Sequence, residues 1–170
     1  MSQTSYTDTR AKAVPGLLYG NPADNYVVGD FISNEVLEPG RLVVKDSNGK
    51  IKVPANSGAA ALSEQVVGVV AFQPTSMQTA IPAAGFTYPA GVKVPVLRKG
   101  RIWMQVDSTA EPTALAALNV HHPSTTATKR GKATTNATSA TADAEIGNVA
   151  QMQFVEKAST TLWCVELNLP

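Results

Sequence analysis

Short bursts of alternating apolar and polar positions, separated by Gly, Pro and polar clusters, are the main regularity along this chain. No stretch sustains a 3.6-residue period, so the elements it predicts are strands and the fold class is all-β. Residues 41–45 (Arg-Leu-Val-Val-Lys) and 51–53 (Ile-Lys-Val) flank Asp46-Ser47-Asn48-Gly49-Lys50 and predict a hairpin. Asp46 suits the first position of a type I turn and Gly49 the left-handed residue after it, giving a three-residue loop with a bulge. A two-residue Asn48-Gly49 turn would shift the pairing by one place, and both registers stay open here. Residues 65–71 are apolar and mostly β-branched, too short for a good helix, and predict a buried strand in which Gly68 marks a bulge or a close backbone approach.

A second hairpin is predicted from residues 92–97 and 101–107, turning at Arg98-Lys99-Gly100. Val92, Val94 and Val96 share one face of its first strand, Ile102, Met104 and Val106 one face of its second, and both faces should meet the core. Pro95 removes a ladder donor, which places that strand at a sheet edge or gives it one open side. Ser108 and Glu111 have capping-box spacing, but Pro112 interrupts it, so residues 108–118 predict a short helix or a loop. Residues 124–144 are rich in Thr, Ala and Ser and predict a loop or a weakly specified hairpin. At the end of the chain Trp163, Val165, Leu167 and Leu169 alternate, as a paired and buried terminal strand requires.

The first 29 residues differ from the rest. They are polar, broken by Pro15-Gly16 and Asn21-Pro22, yet carry Tyr6, Val14, Leu17, Leu18, Tyr19 and Tyr26, too many sizeable apolar groups for a solvated tail. The organisation expected is an extended N-terminal arm over 1–29, packed on this domain or on a neighbouring subunit, and a single β domain over 30–170.

Composition narrows the function. Charged residues make up 16% of the 170, below the roughly 25% of ordinary soluble domains, which suits a surface partly covered by partners. Fourteen basic and 13 acidic residues leave a net charge of +1, too little to draw in nucleic acid or an anionic membrane. The start lacks the basic and apolar regions of a signal peptide, and no apolar run reaches about 18 residues. The single cysteine, Cys164, has no internal partner and fits a packed core thiol made in a reducing cytoplasm.

Candidate chemistry is thin. His121 and His122 are adjacent, so in an extended segment they point to opposite sides and cannot share a metal, which leaves a solvated or capping role. No Gly-x-Ser-x-Gly elbow, P-loop or dinucleotide fingerprint is present, the acidic residues are scattered, and the expectation is no enzyme, no cofactor and no metal. The basic clusters Arg98-Lys99-Gly100-Arg101 and Lys129-Arg130-Gly131-Lys132 fall on predicted turns, where solubility or contact with an acidic protein surface explains them better than phosphate binding.

Three pieces then line up in order: Ala-Val-Pro-Gly-Leu (13–17), Val-Val-Gly-Val-Val (66–70) and Val-Lys-Val-Pro-Val-Leu-Arg-Lys-Gly-Arg-Ile-Trp-Met (92–104). In these the chain resembles the structural cement, or head-decoration, proteins of tailed phages. The resemblance implies a small β-barrel or β-tulip-like domain, oligomeric, made in the host cytoplasm and carried on the head exterior of the virion, where it clamps the major capsid protein. A trimer is favoured, since decoration sites commonly sit at threefold positions, with a dimer as the other arrangement. Strand addition by the arm would gain contact area economically, and Tyr6, Leu17, Leu18 and Tyr19 are its candidate anchors because buried aromatic and aliphatic groups dominate such contacts. Two other classes compete: a fibre or adhesion-type carbohydrate- or ligand-binding β module, short of aromatics for a platform, and a small trimeric β enzyme, short of an acid, base or nucleophile set.

Overall fold

A computed structural model describes residues 13–20, 25–54, 65–72, 86–108, 110–116, 118–121, 128–135, 145–146 and 152–169. Within them lie β1 (Leu18–Tyr19), β2 (Tyr26–Ile32), β3 (Leu42–Lys45), β4 (Ile51–Lys52), β5 (Gln65–Val70), β6 (Lys93–Gln105), β7 (Asn119–His121), β8 (Ala133–Thr134), β9 (Glu145–Ile146), β10 (Met152–Ser159) and β11 (Leu162–Asn168). The protein is all-β. Eight strands form one sheet along the path β10-β11-β6-β5-β3-β4, with β1 and β2 also on β6, and β8-β7-β9 form a second. Among the described residues that path runs open from β10 to β4 and no closed barrel is identified.

The predicted 92–107 hairpin is instead one strand of 13 residues, β6. It is the axis of the sheet, not an edge. Its N-terminal half pairs with both β2 (Val28↔Val96) and β5 (Val70↔Val96), its C-terminal half with both β1 (Leu18↔Ile102) and β11 (Val165↔Ile102). Pro95 is tolerated inside the sheet because the β2 ladder slips between Val28 and Phe31, opposite the missing donor, while the Pro95 carbonyl accepts from the Ala71 N–H at 2.9 Å. The two valine and isoleucine faces also part company. Val94 and Val96 join Leu37, Val43, Ile51, Val70 and Tyr88 in one apolar cluster, whereas Ile102, Met104 and Val106 join Leu42, Phe154, Trp163 and Val165 in another. One long strand therefore ties two cores together.

The first hairpin forms with the three-residue loop: Lys45 pairs with Ile51, Asp46 N–H donates to the Lys50 carbonyl at 2.8 Å, and Gly49, with φ +78°, donates to the Asp46 carbonyl at 3.1 Å. In β5, Gly68 is both features expected of it: the β3 register shifts beside it, and a Cβ there would lie 2.2 Å from the Leu97 carbonyl oxygen. The terminal alternation holds, with Trp163, Val165, Leu167 and Leu169 all buried. Residues 110–116 form no helix. Leu115, with φ +64°, donates its N–H to the Phe154 carbonyl at 2.7 Å, and Phe154 returns a bond to Ala116, so this stretch covers part of the β10 edge. Of the Thr/Ala-rich stretch, residues 128–135 make a turn and β8; residues 124–127 and 136–144 lie outside the described residues.

Candidate interaction surface

Residues 13–17 show why Pro-Gly stands in this motif. Val14, Pro15, Gly16 and Leu17 form a turn closed by the Leu17 N–H on the Val14 carbonyl at 3.0 Å, with Pro15 pre-set for its second position and Gly16, φ +80°, at its third. Gly16 then threads between two strands. Its N–H donates to the Trp103 carbonyl and its carbonyl accepts from Phe72 N–H, both at 2.7 Å. A Cβ on Gly16 would lie 2.5 Å from the Pro39 ring carbon and 2.9 Å from the Phe72 nitrogen. Opposite, a Cβ on Gly40, whose φ is +76°, would lie 2.9 Å from the Trp103 carbonyl oxygen and 3.0 Å from the Pro15 ring carbon. Two Pro-Gly pairs thus interlock over β6, and no other residue fits at either glycine.

This lock fixes the sequence-derived anchors differently. Leu18 pairs with Ile102 and packs partly on the larger core. Tyr19 meets Trp103 edge to face at 5.5 Å and donates its hydroxyl to Glu156 at 2.7 Å. That hydrogen bond, with the Glu156 charge, raises the Tyr19 hydroxyl above the ordinary tyrosine value. Leu17 stays 40% exposed. Tyr6 lies outside the described residues. Other apolar side chains are exposed too: Leu115 is 72% and Val36 60% exposed, and Val92, expected on a core face with Val94 and Val96, is 36% exposed because it lies just ahead of β6, where its carbonyl accepts the Ser33 N–H. Leu115 gave no signal because an Ala-Leu run resembles the buried face of a helix.

The two basic clusters part ways as well. Arg98 to Arg101 lie within β6, where Arg101 pairs with Glu166 at 3.4 Å. The turn at 128–131 is pinned by Arg41, a buried guanidinium that donates to the Thr128 and Arg130 carbonyls at 2.8 and 2.6 Å. Arg41 also holds Glu38 at 2.6 Å, and Gln105 donates to the same carboxylate oxygen at 3.1 Å. Burial alone would raise the Glu38 carboxyl, but the Arg41 hydrogen bonds and charge, helped by Gln105, outweigh it and hold Glu38 below the usual range. Lys132 is lowered, first by burial and then by the Arg41 charge.

Lys132 also lines a groove of about 650 Å³, together with Pro15, Asp107, Ser159, Thr161 and Leu162. His121 is buried and not solvated: its Nε2–H donates to the Asp107 carbonyl, fixing the tautomer, while His122 lies outside the described residues. Burial pushes the Cys164 thiol up to about 12, which keeps it an inert core group. Among the described residues no group of three or more His, Cys, Asp or Glu could hold a metal ion.

The described surface of this all-β domain thus offers apolar projections and a groove lined by Lys132 and Asp107. The chain belongs to the phage structural cement protein family (E217 gp24/Pam3 gp6), whose model matches residues 2–168. It is therefore a virion structural protein of the decoration class and not an enzyme. Among solved structures it is similar to a chain in the capsid of Myoviridae Phage XM1, with 21% identity, a TM-score of 0.66, and coverage of 97% of this chain and 98% of that one. At that identity the likeness shows a shared fold. No curated protein matches the chain.

Proposed function

We propose that this protein decorates the outer surface of a phage head and bridges neighbouring major capsid subunits. The observation that carries this reading is the family match across nearly the whole chain. The physics supports it: packed DNA pushes the shell outward, and a bridging protein resists through contact area and copy number, with no need of a catalytic group. Interfaces of about 1,200–2,000 Å² per copy are ordinary for such contacts. In this reading the domain is a small barrel-like or β-tulip-like body, homo-oligomeric with a trimer favoured over a dimer, and it contacts neither nucleic acid nor membrane. The N-terminal arm over 1–29 is rooted on this domain's own β6 through β1 and the start of β2. It reaches a neighbour from that root, with Tyr6 and Leu17 on the outward contact while Leu18 and Tyr19 brace it.

Purified protein mixed with expanded, undecorated heads of its own phage tests this, with gel densitometry giving copies per capsid subunit. Saturable, stoichiometric binding is expected, and a folded protein that leaves the shells bare would overturn the proposal. Deletion as far as Gly29 would remove β1 and part of β2, so the arm is tested by removing residues 1–12. Weakened binding by a truncated protein that melts normally is the expected result.

A further inference from the structure

The groove beside the Pro15 turn is the feature left over once the fold's internal contacts are assigned. Its walls are the end of β6 with Gln105, Val106 and Asp107, the turn between β10 and β11 with Ser159, Thr161 and Leu162, the Pro15 ring, and Lys132. Two charged residues line it, Lys132 and Asp107, while the charges of Glu38, Arg41, Arg130 and Glu35 are committed to one another. Glu38 receives Arg41 and Gln105, and Arg130 pairs with Glu35 at 3.4 Å. The Lys132 ammonium makes no hydrogen bond or ion pair among the described residues. Asp107 and Glu38 attract it electrostatically without forming a salt bridge, and burial with the Arg41 charge outweighs them.

We infer that this groove receives an extended, carboxylate-bearing segment of the capsid subunit, with Lys132 as its charge partner. This rests on the capsid-decorating reading above and names where on the protein that contact falls. Three observations point to that occupant. An ammonium held partly out of water beside the Arg41 guanidinium is an unfavourable arrangement in the free protein, and an incoming carboxylate relieves it. The Ser159 and Thr161 hydroxyls, 3.4 Å apart, also line the groove and offer polar contacts to an extended backbone. Pro15, Val106 and Leu162 supply the apolar floor that excludes water and strengthens the charge contact.

The test is binding to expanded, undecorated heads of the same phage, measured for the parent protein, Lys132→Gln and Thr161→Trp, with a thermal melt of each free protein. Lys132→Gln should weaken shell binding by about tenfold or more, while its melting midpoint stays level or rises, because the ammonium it removes is unfavourable in the free fold. A residue that merely supported the fold would do the opposite and lower the midpoint. Thr161→Trp alters an exposed side chain and fills the groove, so it should weaken binding equally without loss of stability. If both variants bind shells as tightly as the parent, the groove assignment is overturned and the decoration role stands. If the parent itself leaves the shells bare, both fall together.

Discussion

Residues 46–50 and 98–101 are both short runs of polar or charged side chains leading to a glycine of positive φ, yet the chain reverses at the first and runs straight through the second. The difference lies in where the hydrogen-bond partners come from. At 46–50 every partner is local: the Asp46 carboxylate accepts the Asn48 and Lys50 N–H groups at 2.8 and 2.9 Å, and Gly49 closes on the Asp46 carbonyl. At 98–101 no acidic or hydroxyl side chain is at hand. The partners arrive from across the fold: Asn25 accepts the Arg101 N–H at 2.9 Å, Leu169 N–H reaches the Arg98 carbonyl at 3.1 Å, and Glu166 pairs with Arg101. A turn is thus a competition between near and distant partners, and an Asx side chain lets the near ones win.

The comparison can be broken most directly at the glycines. Gly100→Ala should cost roughly 3 kcal/mol in a urea melt, because φ is +118° and the new Cβ meets Asn25 at 2.0 Å from its side-chain oxygen and 2.9 Å from its Cα. Gly100→Ala costing no more than Gly49→Ala would show that the distant contacts do not hold the strand straight. Asp46→Ala should come next, at about 1–2 kcal/mol, since two loop N–H groups lose their acceptor but remain exposed to water. Gly49→Ala should cost about 1 kcal/mol, because its Cβ would find only the Lys45 Cε at 3.5 Å, and the penalty is the left-handed backbone alone.

The smallest effect concerns the turn at 128–131, which bends like the first segment but is held from afar like the second. Its clamp, Arg41, depends on Glu38, whose folded carboxyl lies below its unfolded value. The stability this contributes is fully present above the unfolded carboxylate value near ~4.3, and is lost as pH falls through the lower folded value. Hydrogen exchange at falling pH should therefore show the Gly131 amide, which donates to the His121 carbonyl, losing protection before the amides of the β5–β6 ladder do. Glu38→Gln should flatten that acid dependence, and an unchanged acid profile would detach Glu38 from the clamp.

The same contest explains what the sequence made legible. Residues 41–53, 65–71 and 162–169 encode their strands locally, through β-branched alternation and an Asp-x-x-Gly turn, and the structure follows. The run from Arg98 to Arg101 lacked any mark that Asn25, 76 positions away, would complete it, so one strand read as two. Ser108 and Glu111 had the spacing of a helix start, but the Leu115 and Ala116 bonds to Phe154 hold that stretch against β10 instead. Lys132 was visible as one of a basic cluster. Its place in a groove was not, because that depends on Arg41 drawing residues 128–131 onto β3 and on Gly16 setting Pro15 at the rim. Family resemblance carried the function where chemistry could not, since a contact surface leaves no catalytic spacing in a sequence.

Cryo-electron microscopy of expanded heads saturated with the purified protein tests the central claim most directly. The account predicts density of this fold on the outer face of the shell, spanning junctions between capsid subunits, with the groove between Pro15 and Thr161 occupied by a capsid segment. Shells that lack such density, or carry it only on the inner face, would contradict it.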